Sequence, residues 1–100
     1  MPTRRQRQVA ELVHRELGSL LLREVRDPRL EGVTITEVRV TPDLLMARIF
    51  FTLLDKDVPV ADVQAALERA TGFLRSQLGA RVRLRLVPEL VFMHDMSAAY

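Results

Sequence analysis

The chain contains no cysteine and only two histidines, His14 and His94. Disulfides and thiol chemistry are excluded by the first absence, and two imidazoles leave little with which to hold zinc or copper. No apolar run approaches the roughly 20 residues that a helix needs to span a bilayer, and the basic stretch MPTRRQRQVAEL is followed by no uninterrupted hydrophobic segment. The expected compartment is the cytoplasm, with no membrane contact. A Gly-rich phosphate loop, a nucleophile elbow and a His-x-x-x-His pair are also missing. His94 and Asp95 are adjacent, which is a poor frame for a general base and its orienting acid. The reading is therefore a non-enzyme, without catalytic residues, metal or cofactor.

Lysine is nearly absent as well, since fourteen of the fifteen basic residues are arginine. Arginine presents a planar fork suited to phosphate and to base stacking, so the bias leans towards an anionic partner. The charge is divided along the chain. Residues 1–30 hold seven arginines against four acids, residues 31–68 hold three bases against seven acids, and residues 69–88 hold five arginines and no acid. An apolar share of 48% argues for a globular chain, and 100 residues suffice for one domain over 1–100 that buries its own core.

Periodicity gives the elements. Thr3 and Gln6 fit a capping box, and Val9, Leu12, Val13, Leu17, Leu20 and Leu21 form a stripe that predicts a helix over 4–25, ended by Asp27-Pro28. GVTITEVRV, 32–40, reads as a strand whose apolar phase shifts between Ile35 and Val38, which predicts a bulge. TPDL is a turn, and LMARIFFTLL, 45–54, a second strand hairpin-paired with the first. A helical stretch over 59–78 follows, with Gly79 as its stop, and RVRLRLVPELVFM, 81–93, alternates like a third strand. Three strands covered by amphipathic helices make an α+β sandwich.

Within the helical stretch stands Gly72, whose cost in a helix is roughly 1 kcal/mol relative to alanine. At 3.6 residues per turn it falls opposite the stripe of Val63, Ala66, Leu67, Ala70, Leu74 and Leu78, beside Arg69, Arg75 and Ser76. It breaks the helix in two to follow the sheet or lets a foreign backbone approach closely, and the two roles are compatible. On the first helix Arg4, Arg7 and Arg15 share the face opposite the apolar stripe, where Glu11 could pair with either Arg7 or Arg15. Strand alternation puts Arg81, Arg83 and Arg85 on one side, with Glu37 of a neighbouring strand as a candidate counter-charge.

The order helix, strand, strand, helix, helix, strand is similar to that of the bacterial-type KH domain, in which two helices meet at a Gly-x-x-Gly loop that clamps a nucleic-acid backbone. No Gly-x-x-Gly occurs here; the equivalent junction reads Ala70-Thr71-Gly72. With RDPRL (26–30), VTITEVRVTPDLLMARIFF (33–51), LRSQLGARVRLRLVPELVF (74–92) and Asp95 in Asp95-Met96-Ser97, the chain resembles the ribosome-binding factor A family over nearly its whole length. The resemblance implies a KH-like fold of type II with an interhelical Ala-x-Gly kink at Ala70, Thr71 and Gly72. It also implies a cytosolic assembly factor that binds the 30S ribosomal subunit and its 16S rRNA, supports 5′-end processing of that rRNA, is linked to growth in the cold, and is a monomer when free. The candidate rRNA-facing residues are Arg4, Arg7, Arg15, Arg69, Gly72, Arg75, Ser76, Arg81, Arg83 and Arg85. Two other readings stand beside it: a generic KH-like module for single-stranded RNA, and a protein-interaction domain using Leu22 and Phe50, which fall outside the main stripes.

Overall fold

The computed structural model describes residues 1–96. Helix α1 spans Arg4–Arg23, a short 3₁₀ turn Pro28–Leu30, strands β1 and β2 Val33–Val40 and Met46–Leu53, helix α2 Val60–Arg81, and strand β3 Glu89–His94. The fold is α+β. The sheet order is β1-β2-β3, with β1 antiparallel to β2 and β2 parallel to β3. A parallel neighbour requires a crossover, and α2 is that crossover.

The start of α1 follows its sequence signal. Thr3 Oγ1 accepts from the Gln6 amide while Gln6 Oε1 accepts from the Thr3 amide, a reciprocal box that satisfies two orphan donors. Gln6 is itself buried, and its Nε2 donates to the Val40 carbonyl at 2.9 Å, tying the helix to β1. The turn after α1 is closed by Asp27, whose carboxylate accepts from the Arg29 amide, with Pro28 in the first turn and Leu30 buried beneath. Between β1 and β2 the register shifts between Ile35 and Glu37, where the phase change in the sequence predicts a bulge. In the hairpin, Leu44 takes a φ of 63°, a left-handed conformation costing a branched residue roughly 1–2 kcal/mol. Asp43 Oδ1 accepts from Thr41 Oγ1 and, at 3.0 Å, from Leu45 N–H, and Thr41 Oγ1 accepts from Met46 N–H; these bonds across the same turn hold it there.

Both helices cover one face of the sheet. Val9, Val13, Leu17 and Leu20 of α1 and Val63, Leu67, Leu74 and Leu78 of α2 meet Ala47, Ile49 and Phe51 of β2 in the core. Two expectations need correction at this level. The first is the pair of helices meeting at a kink: α2 is one helix through Ala70, Thr71 and Gly72, and no glycine among the described residues has a positive φ. The reason is energetic, because burying Leu67, Leu74 and Leu78 on the opposite face contributes about 1.5–3 kcal/mol each and outweighs the cost of one glycine.

The second correction concerns the third strand. The segment 81–93 is not one strand: α2 runs on past Gly79 to Arg81, residues 82–88 are irregular, and only Glu89–His94 pairs with β2. Gly79 does not stop the helix. A Cβ there would stand 3.1 Å from Val87 Cγ2, so the residue serves the close return of 82–88 over the end of α2. Of the alternating apolar set, Val82 is buried, Leu84 half-buried and Leu86 65% exposed. Pro88 is buried immediately before the strand and has no N–H to give a ladder.

Candidate nucleic-acid interface

The arginines read from the sequence separate into two groups once their partners are known. Arg75 Nε and Nη2 donate to the carbonyls of Pro88 and Val87 at 3.1 and 2.9 Å. This guanidinium pins the irregular segment to α2. Arg81 sits on the last turn of α2 and reaches across to α1, with Nη2 3.2 Å from Glu24 Oε1 and Nη1 3.7 Å from Glu16 Oε2. Its position at a helix C-terminus also suits the dipole. The row of Arg81, Arg83 and Arg85 on a strand is therefore not formed, and Glu37 does not face it; Glu37 pairs with Arg39 at 3.1 Å instead.

Arg4, Arg69, Arg83 and Arg85 are exposed and make no hydrogen bond or ion pair among the described residues. Arg69 acts at longer range on Asp27. Arg7 donates to the Pro2 carbonyl at 3.3 Å, and Arg15 lies a loose 3.8 Å from Glu16. Glu11 pairs with neither, contrary to the helical spacing argument. First-turn arginines with no acid beside them leave the N-terminal end of α1 strongly positive.

On α2, Arg69, Gly72 and Ser76 share the solvent side. A Cβ on Gly72 would meet nothing within 4 Å, so its glycine is required neither by packing nor by φ. Thr71 Oγ1 donates back to the Leu67 carbonyl at 2.9 Å, a bond available without breaking the helix. Beside Gly72, Phe73 is 45% exposed. Its place off the Leu67, Leu74, Leu78 stripe is the signal for it in the sequence. Such an aromatic beside a bare helix surface and an unpaired arginine can stack on a base.

Near the 3₁₀ turn, Arg29 grips Asp27 with two bonds, Nε to Oδ1 at 3.0 Å and Nη2 to Oδ2 at 2.8 Å. Those bonds hold the Asp27 carboxyl below its ordinary range and raise Arg29. Arg29 and Asp27 of RDPRL are thus occupied with each other. His94 packs on Phe51 with ring centroids 5.6 Å apart, and Asp95 accepts from Thr36 Oγ1 at 2.6 Å. These contacts fix the end of β3. Ser97 of the Asp95-Met96-Ser97 stretch lies outside the described residues. No cluster of potential metal ligands occurs among the described residues, and none of their helices is long and apolar enough to cross a membrane.

The family model described as "Ribosome-binding factor A" matches residues 5–100. A protein of that name from Staphylococcus carnosus is 44% identical over 100 residues, covering 100% of this chain and 87% of its own length. The fold is similar to the solution structure of a Thermotoga maritima protein described as a putative ribosome binding factor A, with a TM-score of 0.80 at 26% identity, covering 100% of this chain and 95% of the other. It is also similar, with a TM-score of 0.69 at 24% identity over 97% of this chain and 98% of the other, to a homology model of the Thermus thermophilus ribosome binding factor A fitted into the cryo-EM map of a 30S–RbfA complex.

Proposed function

The chain belongs to the ribosome-binding factor A family, and from that premise we propose that it is a cytoplasmic assembly factor that binds the small ribosomal subunit during its maturation. The observation that carries this reading is the match of nearly the whole chain to the family; a homology model of its Thermus member has been fitted into the map of a 30S complex. The finer reading is that binding supports late maturation of 16S rRNA at its 5′ end and matters most in the cold. The chain acts as a single domain and a monomer when free.

The surface we assign to rRNA is the solvent side of α2 at Arg69, Gly72, Phe73 and Ser76, joined by Arg83 and Arg85 of the following segment and by Arg4 and Arg15 of α1. Guanidinium groups without partners can each take a phosphate at little cost, because no internal bond is given up. Arg75 and Arg81 support this surface by holding the segment and the helix end in place. Nothing in the reading calls for catalysis, metal or cofactor.

The test is co-sedimentation of the full chain with purified small subunits, mature and immature, and with bare single-stranded RNA, across a salt series. Subunit binding whose log affinity falls steeply with log salt supports the proposal. Binding to bare RNA alone would favour a generic single-strand module, and binding to neither would remove the proposal.

A further inference from the structure

The helices cover one face of the sheet, and α1 packs along its β1 edge. Between the N-terminal half of α1 and β1 lies an open groove of about 670 Å³. Its walls present Arg7, Arg39 and Arg48, against a single acid, Glu37, over apolar ground that includes Val38 and Val40. Two of these arginines are placed in direct opposition, since Arg39 and Arg48 are cross-strand partners in the β1/β2 register. Like charges so placed destabilise a ladder unless something anionic lies between them.

Glu37 answers only one of the two. It bonds Arg39 at 3.1 Å, and the Arg39 guanidinium also lies over the Phe50 ring, 5.7 Å from its centroid. Arg48 is exposed and has no hydrogen bond or ion pair among the described residues, while Arg7 gives one donor to the Pro2 carbonyl. Three arginines, at most one of them neutralised, thus line one concave strip, with the Phe50 ring beside Arg39.

We infer that this groove is a second seat for an RNA strand, with Arg7, Arg39 and Arg48 on successive phosphates and Phe50 offering its ring, already flanked by Arg39, to a base. The inference rests on the reading of the chain as an rRNA-facing factor, but it puts a contact at the sheet edge remote from Gly72, since α2 packs over β3 and β1 is the other edge. The excess of cations over acids favours a polyanion. A protein strand adding to β1 is disfavoured, because Gln6 Nε2 already takes the Val40 carbonyl and His14 Nε2 lies 3.2 Å from that of Ile35.

The experiment compares small-subunit binding of the full chain, as wild type, as the triple variant Arg7→Gln, Arg39→Gln, Arg48→Gln, and as Arg69→Gln, over a salt series. For the triple variant the expected result is a loss of about tenfold in affinity, with a slope of log affinity against log salt shallower by about 2, three phosphates at about 0.7 each on a single strand. Arg48→Glu, which has no internal bond to lose, is expected to weaken binding severalfold and carries the test if the triple variant melts early. Unchanged affinity and slope in these variants, with Arg69→Gln still weakening binding, would overturn the groove and leave the function standing. An affinity loss with an unchanged slope would point to a protein contact at the groove and overturn it too. Absence of wild-type binding would remove the function and the groove together.

Discussion

Asp27 and Asp43 are carboxylates that their neighbours hold below the ordinary value of 3.8, the first through the side-chain bonds of Arg29, the second through the hydroxyl of Thr41 and the amide of Leu45. A depressed carboxyl binds its proton less tightly folded than unfolded, so its contribution to stability is complete above the unfolded value and is lost as pH falls through the folded one. Melting temperature should therefore fall as pH drops below about 4, and the fall should be shallower in the double variant Asp27→Asn, Asp43→Asn. Thermal melts between about pH 2 and 7 check it; equal slopes would contradict the assignment. Arginine at 75 and at 69 should separate by the same kind of measurement. Arg75→Gln loses two bonds to the Val87 and Pro88 carbonyls and should cost about 1 kcal/mol, with faster amide exchange over 82–88. Arg69→Gln loses no bond and should leave stability within about 0.5 kcal/mol while weakening subunit binding. Lysine would not replace Arg75, because one ammonium cannot reproduce a forked pair of bonds.

At the scale of the element, α2 poses the sharpest question, because two of its glycines look alike in sequence and differ in space. Gly72 faces open solvent, with ordinary helical φ, so Gly72→Ala should stabilise by up to about 1 kcal/mol and raise the melting temperature by about 4–8 °C. The same helical gain at Gly79 is opposed by Val87 Cγ2 at 3.1 Å, so Gly79→Ala should raise the melting temperature less than Gly72→Ala does. Paired melts of the two variants decide this, and a lower melting temperature for Gly72→Ala would mean the helix is strained there after all. If stabilised Gly72→Ala also loses subunit affinity, the glycine serves close approach of a foreign backbone; with affinity intact, that role is excluded. The capping box at Thr3, the Asp27-Pro28 stop and the bulge after Ile35 were all legible because each is a local conflict or local bond written within a few residues. The end of α2 was not legible. Its extension past Gly79 brings Arg81 to Glu16 and Glu24, residues more than fifty positions away.

For the whole molecule, the core joins both helices to the central strand through Phe51, which is fully buried. Phe51→Ala should cost about 3–5 kcal/mol, a large part of the 5–15 kcal/mol that holds a domain of this size. Denaturant unfolding should show a much lower midpoint, and a loss below about 1 kcal/mol would contradict the placement of this ring. Of the candidate surface, the sequence made the cationic character plain but not its distribution. Of the candidate arginines, Arg4, Arg69, Arg83 and Arg85 make no hydrogen bond or ion pair among the described residues, whereas Arg75 and Arg81 are engaged within the fold. Arg39 and Arg48 were passed over because each stands alone in an acidic part of the chain, and only the β1/β2 register sets them face to face. By itself the sequence determined the α+β class, the first helix with its cap, the hairpin with its bulge and the apolar faces of α1 and β2, because periodicity and short-range bonding act within a few residues, while the order of its motifs carried the resemblance to the family. The tertiary structure alone decided that α2 is one helix, that β3 begins after Pro88, and which arginines remain free to meet a phosphate. Those outcomes depend on bonds between residues distant in sequence, and no local pattern encodes which carbonyl or carboxylate will stand within reach of a guanidinium.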